Sequence, residues 1–324
     1  MSDFPDVTVV VPTRSRWHLL STAALPSALE QEDVRIEVVV VDDGSEDETS
    51  AHLEELGDPR LVVIRNDVSQ GVAAARNAGI RAARGRWVSF LDDDDLWGPR
   101  KLRAQLDTAE AAGAVFAYAG GGGLDASRRF LFAVMPPDPN SVTRELLRWN
   151  VIWCGCSNVL ARADIVTELG GFDDRLVQLA DWDLWIRLAL AGPAAATPEI
   201  LVGYVMHHES MLLTDRRDVF PEMDYLVEKH RDAGLEHGVE LDQALFARWV
   251  ARGHRRSGRR RQAARTYLQG VWRHGDVGAL PRALASFAPE RVVDASRRLG
   301  GVERRSALKT LRVPEPEWVA RFRP

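Results

Sequence analysis

The chain has 324 residues, of which 45% are hydrophobic and 27% are charged, and a formal net charge of −5 at pH 7. This composition excludes a disordered protein, and the length allows one large domain with a smaller appendage. The N-terminus has neither a basic segment nor an apolar stretch long enough for a signal peptide, and no apolar run reaches the roughly 18 residues of a membrane span. We therefore predict a cytoplasmic protein.

Four apolar runs near the N-terminus are typical of buried strands, and three predicted helices lie between them. The runs are VTVVVP (7–12), IEVVVVDDGS (36–45), LVVIRND (61–67) and GRWVSFLDDDD (85–95), and the helices are Leu19 to Glu30, Glu48 to Leu56 and Val72 to Ala83. This alternation predicts an α/β fold with a parallel sheet covered on both faces.

Acidic residues close three of these runs: Asp42 and Asp43, then Asp67, then Asp92 to Asp95. Ligands of such sheets bind beyond the carboxyl ends of the strands. The pattern therefore favours a cation or a hydroxyl-rich ligand at this edge.

The four consecutive aspartates repel one another, by about 4 kcal/mol for two charges 4 Å apart at the effective dielectric of a protein surface. One interpretation is a solvated loop that caps the helix starting near Pro99. The other is a bound Mg²⁺ or Mn²⁺, since such ions bridge protein carboxylates to a diphosphate.

Further strands and helices are predicted downstream. A helix extends to about Ala112, AVFAYAGGGG and RRFLFAVM are typical of strands around a glycine-rich bend, and DWDLWIRLALAG (181–192) has helical spacing. From about Pro221 the pattern is helical almost throughout. We place a domain boundary near residue 220, which divides the chain into residues 1–220 and 221–324.

The two cysteines, Cys154 and Cys156, are two positions apart. That spacing poorly suits a mutual disulfide in an extended segment, and two ligands are too few for a structural zinc site. We therefore predict buried, reduced thiols.

Several segments resemble one enzyme family. VVVPTRSR, VVVVDDGSEDET and GVAAARNAGIRAARGRWVSFLDDDDLWGPRKL, in this order and spacing, resemble the donor-binding half of a family 2 glycosyltransferase, and GGFDDRL with ADWDLWIRLALAG resembles its acceptor half. The resemblance covers roughly residues 5–215. It implies a GT-A fold (a Rossmann-like, mostly parallel sheet flanked by helices) with a donor half over about 1–120, an acceptor half over about 121–220 and a helical C-terminal extension.

The resemblance also implies a metal-dependent, inverting transfer of a sugar from a nucleotide-diphosphate sugar, with a UDP-sugar as the expected donor. An Asp-x-Asp motif holds Mn²⁺ or Mg²⁺ in such enzymes. Asp92 and Asp94 align as its acidic pair, Asp93 is the candidate for the ribose, and Asp95 is expected to cap the next helix. His207 in YVMHHES is a further metal candidate, with His208 as its alternative, although paired histidines at a strand end are also typical of satisfied polar residues.

Five residues are expected to bind the donor in addition to Asp93: Pro12, Thr13, Arg14, Asp43 and Arg76. Asp43 aligns with a carboxylate that reads the base, although DDGS also suits a simple turn. Arg76 would lie near the diphosphate, or be a solvated helix residue. Many relatives have an aromatic residue at the position of Arg14, so the nucleotide stays open, although a guanidinium also stacks on rings.

The catalytic base of the family aligns with Asp181, with Asp183 in reserve. By sequence alone Asp181 also suits a helix N-cap, and Ala180 stands where relatives often have another acid. A carboxylate within hydrogen-bond reach can take the proton of the acceptor hydroxyl. Trp153 and Trp182 are the candidates for acceptor contact, although large aromatic residues usually serve the core.

Two rival functions remain. One is a sugar nucleotidyltransferase. Such enzymes resemble one another in a glycine-rich first loop, and VPTRSR contains no glycine, which disfavours this class. A non-catalytic sugar-nucleotide-binding scaffold is disfavoured by the intact aspartates. The acceptor could be a saccharide, a lipid-linked molecule, a peptide or a natural product.

The segment from Arg248 to Arg265 carries eight arginines and no acidic residue. It suits a helix on an anionic membrane surface, which would place the protein peripherally at the inner membrane face, or the solvated face of a helical hairpin. The arginines are not clearly confined to one helical face. The chain as a whole does not support a nucleic-acid partner.

Overall fold

The computed structural model describes residues 4–207, 217–287 and 310–323. They fall into two compact units. We call residues 4–207 with 310–323 the sheet unit, and residues 217–287 the helical unit.

The sheet unit contains ten strands and eight α-helices within its described residues. The strands are β1 Val7–Thr13, β2 Ile36–Asp43, β3 Leu61–Asn66, β4 Trp87–Phe90, β5 Leu96–Trp97, β6 Phe116–Leu124, β7 Phe130–Val134, β8 Leu160–Arg162, β9 Ala194–Val205 and β10 Thr310–Leu311. The helices are α1 Trp17–Leu19, α2 Leu25–Leu29, α3 Thr49–Glu55, α4 Val72–Ala82, α5 Lys101–Ala112, α6 Val142–Leu146, α7 Ala163–Glu168 and α8 Ala180–Ala191. A π-helical turn, Leu20–Ala24, joins α1 to α2.

The strands form one mixed sheet in the order β10-β7-β6-β8-β4-β1-β2-β3, and β9 pairs with β6 and β5. The N-terminal part, β4-β1-β2-β3, is parallel. Every residue of β1 and β2 is buried. Both strands are therefore runs of valine rather than alternating patterns, because neither face meets solvent. The predicted α/β class with helices around a parallel sheet is confirmed.

The four glycines of AVFAYAGGGG lie inside β6, not in a bend as predicted. A Cβ at Gly122 would come within 2.6 Å of the Phe130 ring, and one at Gly123 within 2.5 Å of the Phe132 ring. The glycines therefore let aromatic rings pack directly on the strand backbone. The bend follows at residues 125–129, where Arg128 has a φ of 57°.

The C-terminal segment 310–323 belongs to the sheet unit, although the sequence predicts helices there. Thr310 and Leu311 pair antiparallel with β7. The Trp318 indole N–H donates to the Ile200 carbonyl at 3.0 Å, and Val319 and Phe322 join a buried apolar cluster. Pairing with strands some 180 residues earlier overrides the local pattern.

Both cysteines are free and buried. This confirms the prediction of buried thiols.

The helical unit contains α9 Phe220–Lys229, α10 Arg231–Glu236, α11 Gln243–Arg256, α12 Arg260–His274 and α13 Leu280–Ala285. The Asp242 carboxylate caps α11 by accepting the Leu245 N–H at 2.8 Å. Across the described segments, none of the helices combines the length and apolar character that a bilayer crossing requires.

Candidate active site

The carboxyl ends of β1, β2 and β4 lie along one edge of the sheet. Thr13 ends β1 and Asp43 ends β2. Residues 91–95 follow β4 and contain the four aspartates; we call them the aspartate turn. Thr13 Oγ1 donates to Asp93 Oδ2 at 2.8 Å, so the end of β1 contacts the aspartate turn directly. Asp67, after β3, is exposed.

Asp93 is buried and is held from two sides. Besides Thr13, Arg16 donates through Nη1 to Asp93 Oδ1 at 3.1 Å, and the same nitrogen lies 3.2 Å from Asp94 Oδ2. Burial and the neighbouring Asp94 carboxylate raise the pKa of Asp93 to about 7, against the opposing effects of Arg16 and Thr13.

Arg16, rather than Arg14, reaches the aspartate turn. The Arg14 side chain is 54% exposed and lies 3.8 Å from Glu46, in the loop after β2. Pro12 is a buried residue of β1. Arg16 was not among the predicted donor-binding residues, and the only sequence signal for it is the second arginine of PTRSR.

Asp94 meets His207 at this edge. His207 Nε2 lies 2.9 Å from Asp94 Oδ2, and His207 follows the end of β9 by two residues. The described residues contain no group of three or more His, Cys, Asp or Glu side chains placed to hold a metal. One carboxylate beside one imidazole nevertheless fits a divalent ion that takes its remaining ligands from a diphosphate. His208 lies outside the described residues.

Asp92 is bound to an arginine. Arg76 Nη2 donates to Asp92 Oδ1 at 2.5 Å, and the Arg76 guanidinium lies 5.3 Å from the centre of the Phe172 ring. Arg76 is buried, and its Nε has no hydrogen-bond partner among the described residues. Asp92, predicted as a metal ligand, thus neutralises a buried cation here.

Asp181 lies in the first turn of α8, close enough to Asp92 and Arg76 to interact electrostatically. Its Oδ1 accepts the Trp182 N–H at 2.6 Å. Burial raises the pKa of Asp181 to about 6; the Arg76 guanidinium opposes this rise and the Asp92 carboxylate adds to it. The N-cap of α8 is Leu179, so Asp181 is not the cap. This carboxylate is ionised at neutral pH yet still accepts a proton readily.

Asp183, the reserve candidate for the base, has a structural contact instead. Its carboxylate is fully buried and binds Arg187 Nη2 at 2.7 Å. Arg187 in turn donates to the carbonyls of Leu169 and Gly171. Asp183 therefore holds Arg187, which joins α8 to the preceding loop, and this buried ion pair favours Asp181 over Asp183 as the base.

Asp43 organises the loop before α4. Its Oδ1 accepts from Asn66 Nδ2 and the Gln70 N–H, both at 2.8 Å. Its Oδ2 accepts from Ser69 Oγ at 2.7 Å and the Gly71 N–H at 2.9 Å. Burial acts to raise the pKa of Asp43, but these hydrogen bonds outweigh it and lower the pKa. Because both oxygens already accept two donors, a nucleobase N–H would have to share or displace one of them.

Asp95 is not a helix cap. The N-cap of α5 is Arg100, whereas the Asp95 carboxylate points into the core and is fully buried. It accepts from Ser157 Oγ at 2.6 Å and from the Val205 N–H at 3.2 Å. Asp95 thus connects the aspartate turn to the end of β9, two residues before His207.

A buried polar network lies beneath this turn. The Trp97 indole N–H donates to the Ser157 carbonyl at 2.7 Å. The Lys101 Nζ lies 3.8 Å from the centre of the Trp97 ring and donates to Ser89 Oγ at 2.7 Å. Burial lowers the pKa of Lys101. Nothing in the local sequence distinguishes Lys101 from a surface lysine of an amphipathic helix.

The two tryptophans predicted to contact the acceptor differ. Trp182 is 2% exposed, and its indole N–H donates to the Leu146 carbonyl at 2.7 Å, so it is a core residue and not an open acceptor platform. Trp153 is half-buried between Phe132 and Tyr204, and its Nε1 has no hydrogen-bond partner among the described residues. Trp153 stays a candidate.

The parallel strand ends, the aspartate turn and the acid on α8 define a glycosyltransferase of the GT-A fold, and comparisons with known proteins agree. The family model described as glycosyl transferase family 2 matches residues 8–170, half of the chain. The chain therefore belongs to glycosyl transferase family 2, whose members use nucleotide-sugar donors, and it is a transferase enzyme. The resemblance seen in the sequence is confirmed.

Several curated proteins are similar to this chain. The succinoglycan biosynthesis protein ExoO of Rhizobium meliloti is 49% identical over 113 residues, 35% of this chain and 32% of ExoO. An uncharacterized glycosyltransferase of Haemophilus influenzae is 28% identical over 230 residues, 69% of this chain and 76% of that protein. The UDP-Glc:alpha-D-GlcNAc-diphosphoundecaprenol beta-1,3-glucosyltransferase WfaP of Escherichia coli is 36% identical over 96 residues, 30% of this chain and 38% of WfaP. The match thus spans about a third of ExoO and of WfaP.

Among solved structures, S. aureus TarS in complex with UDP-GlcNAc superposes with a TM-score of 0.54 and 18% identity. The match covers 91% of this chain and 92% of the TarS chain. At this identity the likeness concerns the fold, which is that of a GT-A glycosyltransferase with C-terminal helices.

Proposed function

We propose that this enzyme transfers a sugar from a UDP-sugar to an acceptor hydroxyl, with a divalent metal and with inversion at the anomeric carbon. One observation carries the proposal: Asp181, with a pKa raised to about 6, lies within electrostatic reach of Arg76 and of Asp92, the residue of the aspartate turn that binds Arg76. This proximity supports Asp181 as the base and Arg76 as the diphosphate-binding group at one edge of the sheet.

The donor would bind along the ends of β1, β2 and β4. Asp93, held by Thr13 and Arg16, would accept a ribose hydroxyl. Arg76 has a buried Nε without an acceptor, and a buried unpaired donor is costly. A diphosphate oxygen would supply the missing acceptor and bind the guanidinium by a charge-assisted hydrogen bond.

Mn²⁺ or Mg²⁺ would be held by Asp94 and His207. When bound, the ion neutralises charge on the departing diphosphate. Asp92 would act mainly on Arg76, which it holds in place.

Asp181 would act as the general base. The acceptor oxygen attacks the anomeric carbon while its proton passes to an Asp181 carboxylate oxygen. The bond from that carbon to the diphosphate oxygen breaks, and UDP leaves from the opposite face, so the configuration inverts. Half-buried Trp153 is proposed to contact the acceptor.

The acceptor is proposed to be a saccharide on a lipid carrier, reached at the inner face of the membrane. WfaP acts by name on GlcNAc-diphosphoundecaprenol, and its similarity to this chain extends over 96 residues. That match supports the acceptor class without extending over the whole protein.

The base is tested with Asp181→Asn. We expect turnover to fall by roughly 10² to 10⁴-fold, the usual reach of general-base catalysis, with donor affinity nearly unchanged. Calorimetric titration with UDP-sugar and Mn²⁺ measures the donor affinity. NMR of the product measures the turnover and the configuration at the anomeric carbon. Equal loss of donor affinity would refute the base assignment. Release of pyrophosphate from a nucleoside triphosphate would instead support the nucleotidyltransferase.

A further inference from the structure

The helical unit exposes many large apolar side chains close together in the sequence. Of the thirteen exposed large hydrophobic residues among the described ones, six lie within twenty positions. We call them the apolar patch: Leu268, Trp272, Val277, Leu280, Leu284 and Phe287. Trp272 is 85% exposed and Leu284 79%. Such a density exceeds the single scattered apolar residues of an ordinary protein surface.

The patch members border one helix–helix contact. α12, α13 and the turn before α13 pack together through a small buried cluster that also includes Ala251 of α11, and an exposed apolar residue directly follows each of the other four cluster members. The packed residues are Tyr267, Val271, Ala279 and Ala283, and those that follow them are Leu268, Trp272, Leu280 and Leu284. Four of the six patch residues therefore lie beside this one helix–helix contact.

A basic stripe continues the patch along α12. Arg261, Arg265, Leu268 and Trp272 are spaced four, three and four positions apart, which places them within about 60° of arc on an α-helix. All four are exposed. The exposed side of α12 thus changes from basic near its N-terminus to apolar near its C-terminus. The sequence alone did not separate these two arginines from the others of the run.

The charge along α11 and α12 has one sign; the nearest acid after α12 is the buried Asp276, which pairs with Arg248. From 243 to 275 the chain carries nine arginines and neither aspartate nor glutamate. A second copy of the chain docked on this surface would bring the two arginine sets together and repel. A surface of phosphate groups would instead be attracted.

We propose that the apolar patch and the stripe of Arg261 and Arg265 form a docking surface for an anionic lipid bilayer. The apolar side chains enter the boundary between headgroups and acyl chains, and the arginines bind lipid phosphates. Tryptophan suits this boundary, because its ring is apolar and its N–H is polar. The purpose of docking, to bring the enzyme to a lipid-linked acceptor, rests on the proposed function; the binding itself does not.

The basic stripe is tested by sedimentation of the full chain with vesicles of phosphatidylcholine, with and without phosphatidylglycerol, in the absence of sugar substrates. We expect binding to the anionic vesicles that weakens with salt. Arg261→Gln with Arg265→Gln should lower the partition coefficient roughly 30-fold, at about fivefold for each arginine. Arg81→Gln with Arg312→Gln removes the same charge from exposed positions of the sheet unit and should change it less than twofold. Equal effects of the two pairs would overturn the proposal.

The apolar patch is tested with Trp272→Ser and Leu284→Ser, each expected to lower the partition coefficient about tenfold or more. Leu235→Ser is the matched control, since Leu235 is 65% exposed on α10 and outside the patch. The proposal would be overturned if wild-type protein did not bind anionic vesicles. It would also be overturned if light scattering showed a dimer that Leu284→Ser dissociates. Sugar transfer to a water-soluble acceptor is measured separately. Vesicle binding without sugar transfer would support the docking surface and refute the proposed function. Sugar transfer without vesicle binding would support the proposed function and refute the docking surface.

Discussion

The pKa of Asp181 leads to a prediction about the pH dependence of turnover. A base must be ionised to take the acceptor proton, and burial raises the pKa of this carboxyl from 3.8 to about 6. With that pKa, roughly 90% of Asp181 is ionised at pH 7 and roughly 10% at pH 5. We expect kcat to fall about tenfold between these pH values. With an ordinary aspartate pKa, more than about 90% would still be ionised at pH 5, and kcat would hardly change.

The measurement is kcat at saturating donor and acceptor from pH 4.5 to 8.5, with folding checked at each pH by circular dichroism. Asp93, with a pKa raised to about 7, is the competing origin of an acidic limb. Thr13→Val removes a hydrogen bond that lowers the pKa of Asp93 and does not contact Asp181. The limb in kcat should therefore stay near pH 6 in this variant. A limb that moves with Thr13→Val, or a kcat that is flat down to pH 5, would refute the assignment to Asp181.

Two further predictions concern the aspartate turn. Asp95→Ala should lower the free energy of unfolding by about 1–3 kcal/mol for each buried donor left unpaired. Asp95→Asn keeps an acceptor oxygen and should lower the free energy of unfolding by less. Urea unfolding compares the two variants, and an Asp95→Ala protein as stable as wild type would contradict the buried contacts. Arg16→Gln should raise the donor KM roughly tenfold, because it removes a charge-assisted contact of about 1.5 kcal/mol from Asp93 and Asp94. Arg14→Gln, at an exposed side chain, should raise the donor KM less than threefold, and the opposite order of the two arginines would show that Arg14 is the binding residue.

The sequence alone was sufficient for the parallel half of the fold and for the location of the site. The valine runs of β1 and β2 are strands because both faces are buried, and this pattern is local. Parallel strands bring their carboxyl ends to one edge, so the neighbourhood of Thr13, Asp43 and the aspartate turn follows from chain order. The family motifs added the placement of Asp181 near that edge.

Only the tertiary structure decided which of the polar and aromatic side chains near the site are buried in the core and which meet solvent. Asp95 points inward because Ser157 and the backbone of Val205, 62 and 110 positions away, supply its donors. Trp182 is a core residue because α6 offers it a carbonyl. Such contacts join segments far apart in sequence, whereas periodicity and turn chemistry describe only near neighbours. The same reason explains the strand at Thr310–Leu311, whose partner β7 lies in the first half of the chain.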